Sequence, residues 1–288
     1  MELYDFLRLR LGLSKRQISR LKFRERGILV NGEQRRVTWK LKMGDRVSVL
    51  LEEEEEASHH LVLTEHPVDI LYEDEDLCAV NKPSGIPTHP AGMHYEDSMA
   101  NILMSHFYQR GESLRIRPAG RLDLETSGVL LFAKSREAAG RLAKQRERGL
   151  LKKEYAAIAA GAFPSSEGRI DVPLMQDPEN PCRVIRSENG KEAITEYQVK
   201  TTFPAGEQVP YAYSLLSVHI LTGRMHQIRC HMAEIGHPLL GDILYGGDRA
   251  YISRAALHAR SLEFLQPFTG EAIHIEAPLP EDMQQLLI

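Results

Sequence analysis

Short apolar runs separated by polar turn segments recur along this chain and predict a protein rich in β-strands. Apolar runs of about 4–8 residues between turn signals are typical of buried strands. Alternation of apolar and polar residues predicts two further strands with one exposed face, at 192–200 and 213–221. The buried strands are predicted at 70–72, 77–80, 129–133, 152–158 and 257–264.

Helices are predicted where apolar residues recur at helical spacing behind a capping residue. Ser135 is placed to cap an amphipathic helix over 136–148. A helix also suits residues 98–110, and Arg224 is predicted to open another helix after the turn at Thr222-Gly223. Strands and helices interspersed in this way predict a mixed fold with helices packed on a sheet.

The first 51 residues differ from the rest of the chain in charge. They hold 13 Lys and Arg against 5 Asp and Glu, whereas the remainder holds 23 basic and 35 acidic residues, for a net charge of −4. A basic helix is predicted over 14–26, with Ser14 as its N-cap and Gly27 after its end, followed by an Asn31-Gly32 hairpin turn. This asymmetry favours an anion-binding module, and the alternative is a solvated charged face. The helix residues that we assign to anion binding are Lys15, Arg16, Arg20 and Lys22.

Composition narrows the class of protein. A chain of 288 residues with 42% hydrophobic residues can form one large domain and a small one. Five consecutive glutamates at 52–56 predict a solvated linker over 52–67. Three scattered cysteines fit a reducing compartment. With no bilayer-length apolar run and no signal peptide, we expect a cytoplasmic protein.

The stretch from Gly120 to Gly128 joins a polar loop to the buried strand at 129–133. The loop carries two carboxylates, Asp123 and Glu125, and loops held by a rigid scaffold often carry catalytic groups. Asp123 is therefore either a catalytic carboxylate or a turn residue with a surface ion pair, and the loop alone does not decide between them.

A resemblance to a known family favours the catalytic alternative. Arg121-Leu122-Asp123-x-x-Thr126-Ser127-Gly128, followed by an apolar strand and Ala133-Lys134, resembles the catalytic motif of the RluA-type pseudouridine synthases. These enzymes isomerise uridine in structured RNA, and the resemblance implies that Asp123 is their essential aspartate. The family often has His before the arginine, where this chain has Gly120.

Three other segments resemble motifs of the same family. Asn81-Lys82-Pro83-x-Gly85 is similar to the motif before the catalytic loop, and Lys82 either holds a phosphate or supports that loop. Lys-x-Tyr-x-Ala at 153–157 resembles the second motif, which implies that Tyr155 stacks on the target base. Thr-Gly-Arg-x-His-Gln-Ile-Arg-x-His at 222–231 resembles the third motif, which implies that Arg229 pairs with Asp123.

The resemblance covers residues 68–280 and implies an α+β fold with a large mixed, mainly antiparallel sheet, flanking helices and a central catalytic cleft. Residues 1–51 resemble the S4 RNA-binding module. We therefore predict an S4-like domain at 1–51, a linker at 52–67 and a catalytic domain at 68–288. Arg121 and Arg224 are assigned to RNA contacts. The reaction implied is an isomerisation without metal or cofactor, on ribosomal RNA or, as the next candidate, on tRNA. The sequence leaves the oligomeric state open, and a monomer is the default expectation.

Two alternatives remain open at this point. The chain could be a non-catalytic RNA-binding or ribosome-assembly protein that keeps the same fold. It could also be a zinc hydrolase built on His226, His231, His237 and Asp242. The spacing of five between His226 and His231 disfavours zinc, because helical zinc ligands are spaced by about four residues.

Overall fold

The structure is a computed structural model that describes residues 1–13, 15–50, 62–90, 96–207 and 209–288. The predicted cap at Ser14 and the glutamates at 52–56 lie outside the described residues. So do the side chains of Arg16 and Arg20. In the described ranges, no helix has the length and apolar character needed to cross a membrane.

The N-terminal part is a small α/β unit with its own core. The three strands pair in the antiparallel order β2-β1-β3, and Asn31 and Gly32 both have the positive φ of the predicted hairpin turn. Six buried aliphatic residues form the core: Leu3, Leu7, Leu13, Ile18, Ile28 and Val30. The elements are α1 (Leu3–Leu9), α2 (Lys15–Leu21), β1 (Ile28–Val30), β2 (Glu33–Gln34) and β3 (Val47–Val49).

Two features of this unit differ from the sequence prediction. Helix α1 was not predicted, and the predicted helix over 14–26 ends at Leu21. The chain turns after Leu21 to bring Ile28 into the core. It passes so close that a Cβ on Gly27 would lie 2.2 Å from the Leu21 carbonyl oxygen.

The main body is a 10-stranded mixed sheet in the order β4-β5-β7-β14-β8-β13-β12-β9, with β6 added to β7 and β15 to β14. β7 and β14 run parallel, and the other described pairs of the sheet are antiparallel. This confirms the predicted α+β class and the mainly antiparallel sheet. The strands are β4 (Ile70–Glu73), β5 (Leu77–Lys82), β6 (Arg117–Pro118), β7 (Ser127–Ala133), β8 (Lys152–Ala160), β9 (Glu167–Asp171), β12 (Ile194–Phe203), β13 (Tyr213–Ile220), β14 (Leu257–Leu265) and β15 (Ala272–Glu276), while β10 (Leu174–Gln176) and β11 (Val184–Arg186) form a separate pair.

Helices cover both faces of the sheet at its centre. Leu130 and Phe132 of β7 join a core with α3 and α5, whereas Val129 and Leu131 join a second core with α4. β7 is buried along its whole length, which explains its continuous apolar sequence. The helices are α3 (Met99–Gln109), α4 (Arg136–Glu147), α5 (Gln227–Glu234) and α6 (Glu281–Gln284), and Ser98 and Ser135 cap α3 and α4.

Helix α5 begins three residues later than predicted. Arg224 lies in the preceding turn, and His226, directly before the helix, has a φ of 49°. This left-handed conformation is unusual for a residue other than glycine, and it prevents a regular helix from starting at Arg224.

The three central strands are aligned through Ala259 of β14. Ala259 is paired with Gly128 of β7 on one side and with Tyr155 of β8 on the other. Adjacent strands lie about 4.8 Å apart, so Gly128 and Tyr155 are about 10 Å from each other across the sheet. The strand that follows the 120–126 loop is therefore fixed close to Tyr155.

Gly128 makes this alignment possible. Its φ is +108°, and a Cβ at this position would lie 2.2 Å from the carbonyl oxygen of Ala259. We expect Gly128→Ala to lower the free energy of unfolding by about 2–4 kcal/mol, because the paired backbones would have to separate. Chemical denaturation measures this loss.

Gly140→Ala is the matched control. Gly140 lies in the exposed surface of α4, where a Cβ meets no atom within 4 Å. Alanine there should raise stability by about 0.5–1 kcal/mol through helix propensity. Equal effects of the two substitutions would contradict the proposed role of Gly128.

Candidate active site

The loop between β6 and β7 carries Asp123 and is held from below by Lys82. The Lys82 Nζ donates hydrogen bonds to the carbonyl oxygens of Pro83 at 2.8 Å, Ile86 at 2.6 Å and Leu124 at 3.3 Å. The first two acceptors belong to the segment after β5, and the third belongs to the Asp123 loop. One ammonium group therefore joins the two segments.

The same two segments are joined by further hydrogen bonds. The Gly85 amide donates to the Leu124 carbonyl at 2.9 Å. The Thr88 hydroxyl donates to the Leu122 carbonyl at 3.0 Å and accepts from the Leu122 amide at 3.1 Å. The Ser84 hydroxyl donates to the Glu125 carbonyl at 2.9 Å. The backbone on both sides of Asp123 is thus fixed, which we call the loop brace.

Lys82 is fully buried, and its burial decides between the two predicted roles, phosphate binding and support of the loop. Burial lowers the pKa of its ammonium group to about 7, and the negative charge of Asp123 acts in the opposite direction. A side chain that is enclosed and bonded to three carbonyls has no surface to offer to a phosphate. The geometry therefore favours support of the loop over direct contact with RNA.

A cavity of about 860 Å³ opens above the loop. Five of the predicted site residues line it: Arg121, Asp123, Tyr155, Arg224 and Arg229. Its volume lies in the range of small-molecule and cofactor pockets, about 300–1,000 Å³. Lys15 and Lys22 lie elsewhere: both are exposed in the N-terminal unit, and neither is among the described residues that line the cavity.

Tyr155 presents a neutral phenol to this cavity. It is 5% exposed, and burial, assisted by the charge of Asp123, raises its pKa well above the usual value. The ring thus supplies an aromatic surface next to the carboxylate without adding a charge.

Arg229 pairs with a different carboxylate from the one predicted. Its guanidinium donates two hydrogen bonds of 2.6 Å to the buried Asp242, and Nη2 lies 3.7 Å from Glu125. The predicted ion pair with Asp123 is therefore wrong. The two nitrogens of the guanidinium group match the two oxygens of one carboxylate, so Asp242 accepts both of these hydrogen bonds from Arg229.

Arg229 still contributes charge to the site. Burial acts to lower its pKa, but the hydrogen bonds and charge of Asp242 outweigh burial and raise it, with smaller contributions from Asp123 and Glu125. Asp123 thus faces a permanent cation that Asp242 holds in place. The sequence suggests Asp242 only as a zinc ligand, and the spacing between Asp242 and Arg229 along the chain does not reveal that the two residues pair.

His226, which the sequence suggests only as a zinc ligand, lines the cavity. Its Nε2 lies 3.9 Å from Asp123 Oδ2, and its Nδ1 lies 3.2 Å from the Tyr245 hydroxyl. Burial lowers the pKa of His226, while the charge of Asp123 opposes this. Its left-handed backbone is the kind of local strain that occurs at functional sites.

The other histidines of the zinc alternative lie in separate surroundings. His231 is bonded to the Thr195 hydroxyl and the Val172 carbonyl, both at 2.9 Å. His237 is bonded to the Ala160 carbonyl and stacks on Phe163. Within the described ranges, no group of three or more His, Cys, Asp or Glu is arranged to hold a metal ion.

Comparison with known proteins assigns the family. Residues 76–234 match the family described as RNA pseudouridylate synthase. The RNA pseudouridine synthase YhcT of Bacillus subtilis is 41% identical over 85% of this chain and 79% of its own. YjbO of the same organism is 37% identical over 96% of this chain and 95% of its own. The ribosomal large subunit pseudouridine synthase D of Escherichia coli O6:H1 is 33% identical over 90% and 81%.

Solved structures show the same fold. Human RNA pseudouridylate synthase domain containing 4 has a TM-score of 0.61 at 24% identity, covering 76% of this chain and 91% of that one. Together with the sequence matches, this establishes that the chain belongs to the RluA-type family of RNA pseudouridine synthases.

The loop brace leads to a test of Lys82. We expect Lys82→Met to lower the free energy of unfolding by about 2–4 kcal/mol, because the buried side chain can no longer donate its three hydrogen bonds to backbone carbonyls. Hydrogen exchange should also speed up at the amides of Leu122 and Thr126 in the Asp123 loop. Lys200→Met, on an exposed lysine of β12, serves as the control. Unchanged exchange in the loop would show that Lys82 does not hold it.

Proposed function

We propose that this protein converts uridine to pseudouridine in ribosomal RNA, with Asp123 as the essential carboxylate. The observation that carries the proposal is the position of Asp123, which lies on a braced loop in a cavity beside Tyr155 and His226. The choice of ribosomal RNA rests on relatives named ribosomal large subunit pseudouridine synthase D, from Escherichia coli and Xanthomonas campestris.

The reaction breaks the bond between the ribose and N1 of uracil, rotates the base and joins the ribose to C5. The C5 proton is lost and N1 gains one, so the product is an isomer of the substrate. Asp123 acts on the ribose or the base as an ionised carboxylate, either as a nucleophile or as a base that stabilises the intermediate. Lys82 and Arg229 lie close enough to Asp123 to feel its charge.

The target base must leave its stack to reach the cavity, at a cost of a few kcal/mol. Tyr155 replaces the lost stacking, since its buried ring lies beside Asp123. Arg121 is exposed at the cavity, where it contacts the part of the RNA from which the target base has been flipped out. Arg224 is also exposed there, with its Nε donating to the Glu192 carbonyl at 2.8 Å, and it contacts the RNA backbone.

The N-terminal unit, residues 1–51, supplies additional RNA affinity as an S4-like domain, with 52–67 as a linker to the catalytic domain at 68–288. Lys15 and Lys22 are exposed on α2 and directly after it. Phe23 is 81% exposed next to Lys22, whose Nζ lies 4.6 Å from the ring centroid. Exposed cations beside an exposed aromatic ring fit phosphates and unpaired bases.

Substitution of the carboxylate tests the catalytic assignment. Asp123→Asn should reduce pseudouridine formation at least about 1,000-fold, because the amide can act neither as nucleophile nor as base. Tritium release from ribosomal RNA with 5-tritiated uridine measures the reaction. Folding and RNA affinity should stay near those of the unsubstituted protein.

Asp171→Asn provides the matched control, since Asp171 is an exposed carboxylate of β9 away from the cavity lining. Normal turnover by Asp123→Asn would refute the assignment. An absence of tritium release from the unsubstituted protein on ribosomal RNA, with release from tRNA, would move the substrate class to tRNA.

Substitution of the basic helix tests the N-terminal unit. Lys15→Gln combined with Lys22→Gln should weaken RNA binding and reduce the slope of log affinity against log salt by about 1.5, at about 0.7–0.9 for each lost phosphate contact. Lys191→Gln combined with Lys200→Gln makes the same charge change on exposed residues elsewhere. Equal slopes in the two double variants would mean that the unit does not bind phosphate.

A further inference from the structure

We propose that Lys153 binds a backbone phosphate of the substrate RNA, and that the absence of a side chain at Gly120 leaves the Lys153 ammonium free to hold its present position. The proposal rests on the proposed function and deepens it. It also gives a role to the one position of the catalytic motif where this chain departs from the family pattern.

The first observation is the contact between the two residues. A Cβ built on Gly120 would lie 3.1 Å from Lys153 Nζ, closer than the roughly 3.5–4.0 Å of an ordinary non-bonded contact. Gly120 also has a φ of +154°, a backbone conformation that residues other than glycine rarely adopt. A Cβ at residue 120 would therefore require the lysine ammonium to shift by a few tenths of an ångström.

The second observation is where Lys153 lies. It precedes Tyr155 by two residues on β8, so both side chains project from the same face of the sheet. Lys153, Tyr155 and Asp123 all line the same cavity. Alternate residues of a strand are about 6.6–6.8 Å apart. The ammonium therefore lies beside the position of a base on Tyr155, where the backbone of that nucleotide or its neighbour would run.

The third observation is the lack of a counter-charge. Within the described part of the chain, no carboxylate forms an ion pair with Lys153. The charge that acts on it is a second cation, Arg146 of α4, which lines the same cavity. Burial, followed by the charge of Arg146, lowers the pKa of Lys153 to about 8.

Asp123 and Glu196 also line the cavity, but neither forms an ion pair with Lys153. Two cations that face one cavity repel each other, and an anion bound between them would relieve that repulsion. RNA offers such an anion in every phosphate. The base and ribose of the target uridine are occupied by Tyr155 and Asp123 in the proposed function. A phosphate is therefore the group of the substrate that remains for Lys153.

Lys153→Met keeps the aliphatic part of the side chain and removes the charge. We expect the Kd for a ribosomal RNA fragment to rise about 10-fold, as for loss of one charge-assisted hydrogen bond. The salt slope should fall by about 0.7–0.9, and the loss in kcat/KM should appear chiefly in KM. Lys200→Met should change none of these values.

Binding is measured on an unrelated RNA hairpin as well as on the ribosomal fragment. A phosphate contact carries no sequence information, so Lys153→Met should weaken binding to both RNAs by a similar factor. The hairpin therefore tests Lys153 even if ribosomal RNA is not the substrate. Tritium release by the unsubstituted protein tests the proposed function separately.

The link to Gly120 is tested by a double-mutant cycle. Gly120→Ala should raise the Kd for RNA in the presence of Lys153, but should add little in the Lys153→Met background. Thermal unfolding of each variant reports the backbone strain at residue 120 independently of binding. If Gly120→Ala does not fold, the Lys153→Met measurements still decide the role of the lysine.

Three results would overturn the proposal or its link to Gly120. An unchanged Kd and salt slope in Lys153→Met would show that the lysine does not bind phosphate. A fall in kcat at constant Kd would assign it to support of the neighbouring catalytic residues instead. Equal effects of Gly120→Ala in both backgrounds would break the connection between Gly120 and Lys153.

Discussion

The site depends on the need to satisfy the backbone of the Asp123 loop. Carbonyl groups in this partly buried loop have no strand partner, and leaving them without a donor is costly. Lys82 at the end of β5, and Ser84 and Thr88 in the segment after it, supply donors. Because β5 pairs with β7 directly behind the loop, both segments start from the same rigid part of the sheet. The Asp123 carboxylate, for which we propose the catalytic role, is thereby held on a loop as firmly as a residue on a strand.

Charge is arranged in layers around that loop. Asp123 lies near Lys82 and Arg229, and Arg229 is in turn held by Asp242 and approached by Glu125. Glu125 also pairs with Arg249 and accepts a hydrogen bond on its carbonyl from Arg254. A fixed network of this kind orients Arg229 before any substrate arrives, so the electrostatic environment requires little rearrangement during reaction.

Local patterns predicted most of the elements, and long-range geometry explains what they missed. The buried strands, the cap at Ser135 and the Asn31-Gly32 turn all follow from nearby residues. The catalytic motif and the three other family motifs come together because the sheet aligns the segments that carry them. The resemblance suggests this convergence, but the spacing of the motifs along the chain does not show it. Asp242 as the partner of Arg229, and the left-handed backbone of His226, depend on contacts formed only in the folded chain. Helix α1 is short and stable only through its packing.

The alignment of Gly128, Ala259 and Tyr155 also constrains how the molecule assembles. β14 occurs late in the chain yet occupies the middle of the sheet, between β7 and β8. The two sides of the cavity are therefore separated until this strand inserts, and contacts between such distant segments form slowly. A molecule in which β14 is not in place has the chemical groups of the site but lacks the strand that joins β7 to β8 and fixes the distance between the Asp123 loop and Tyr155. Enzymatic activity of this fold therefore requires that β14 is in place between β7 and β8.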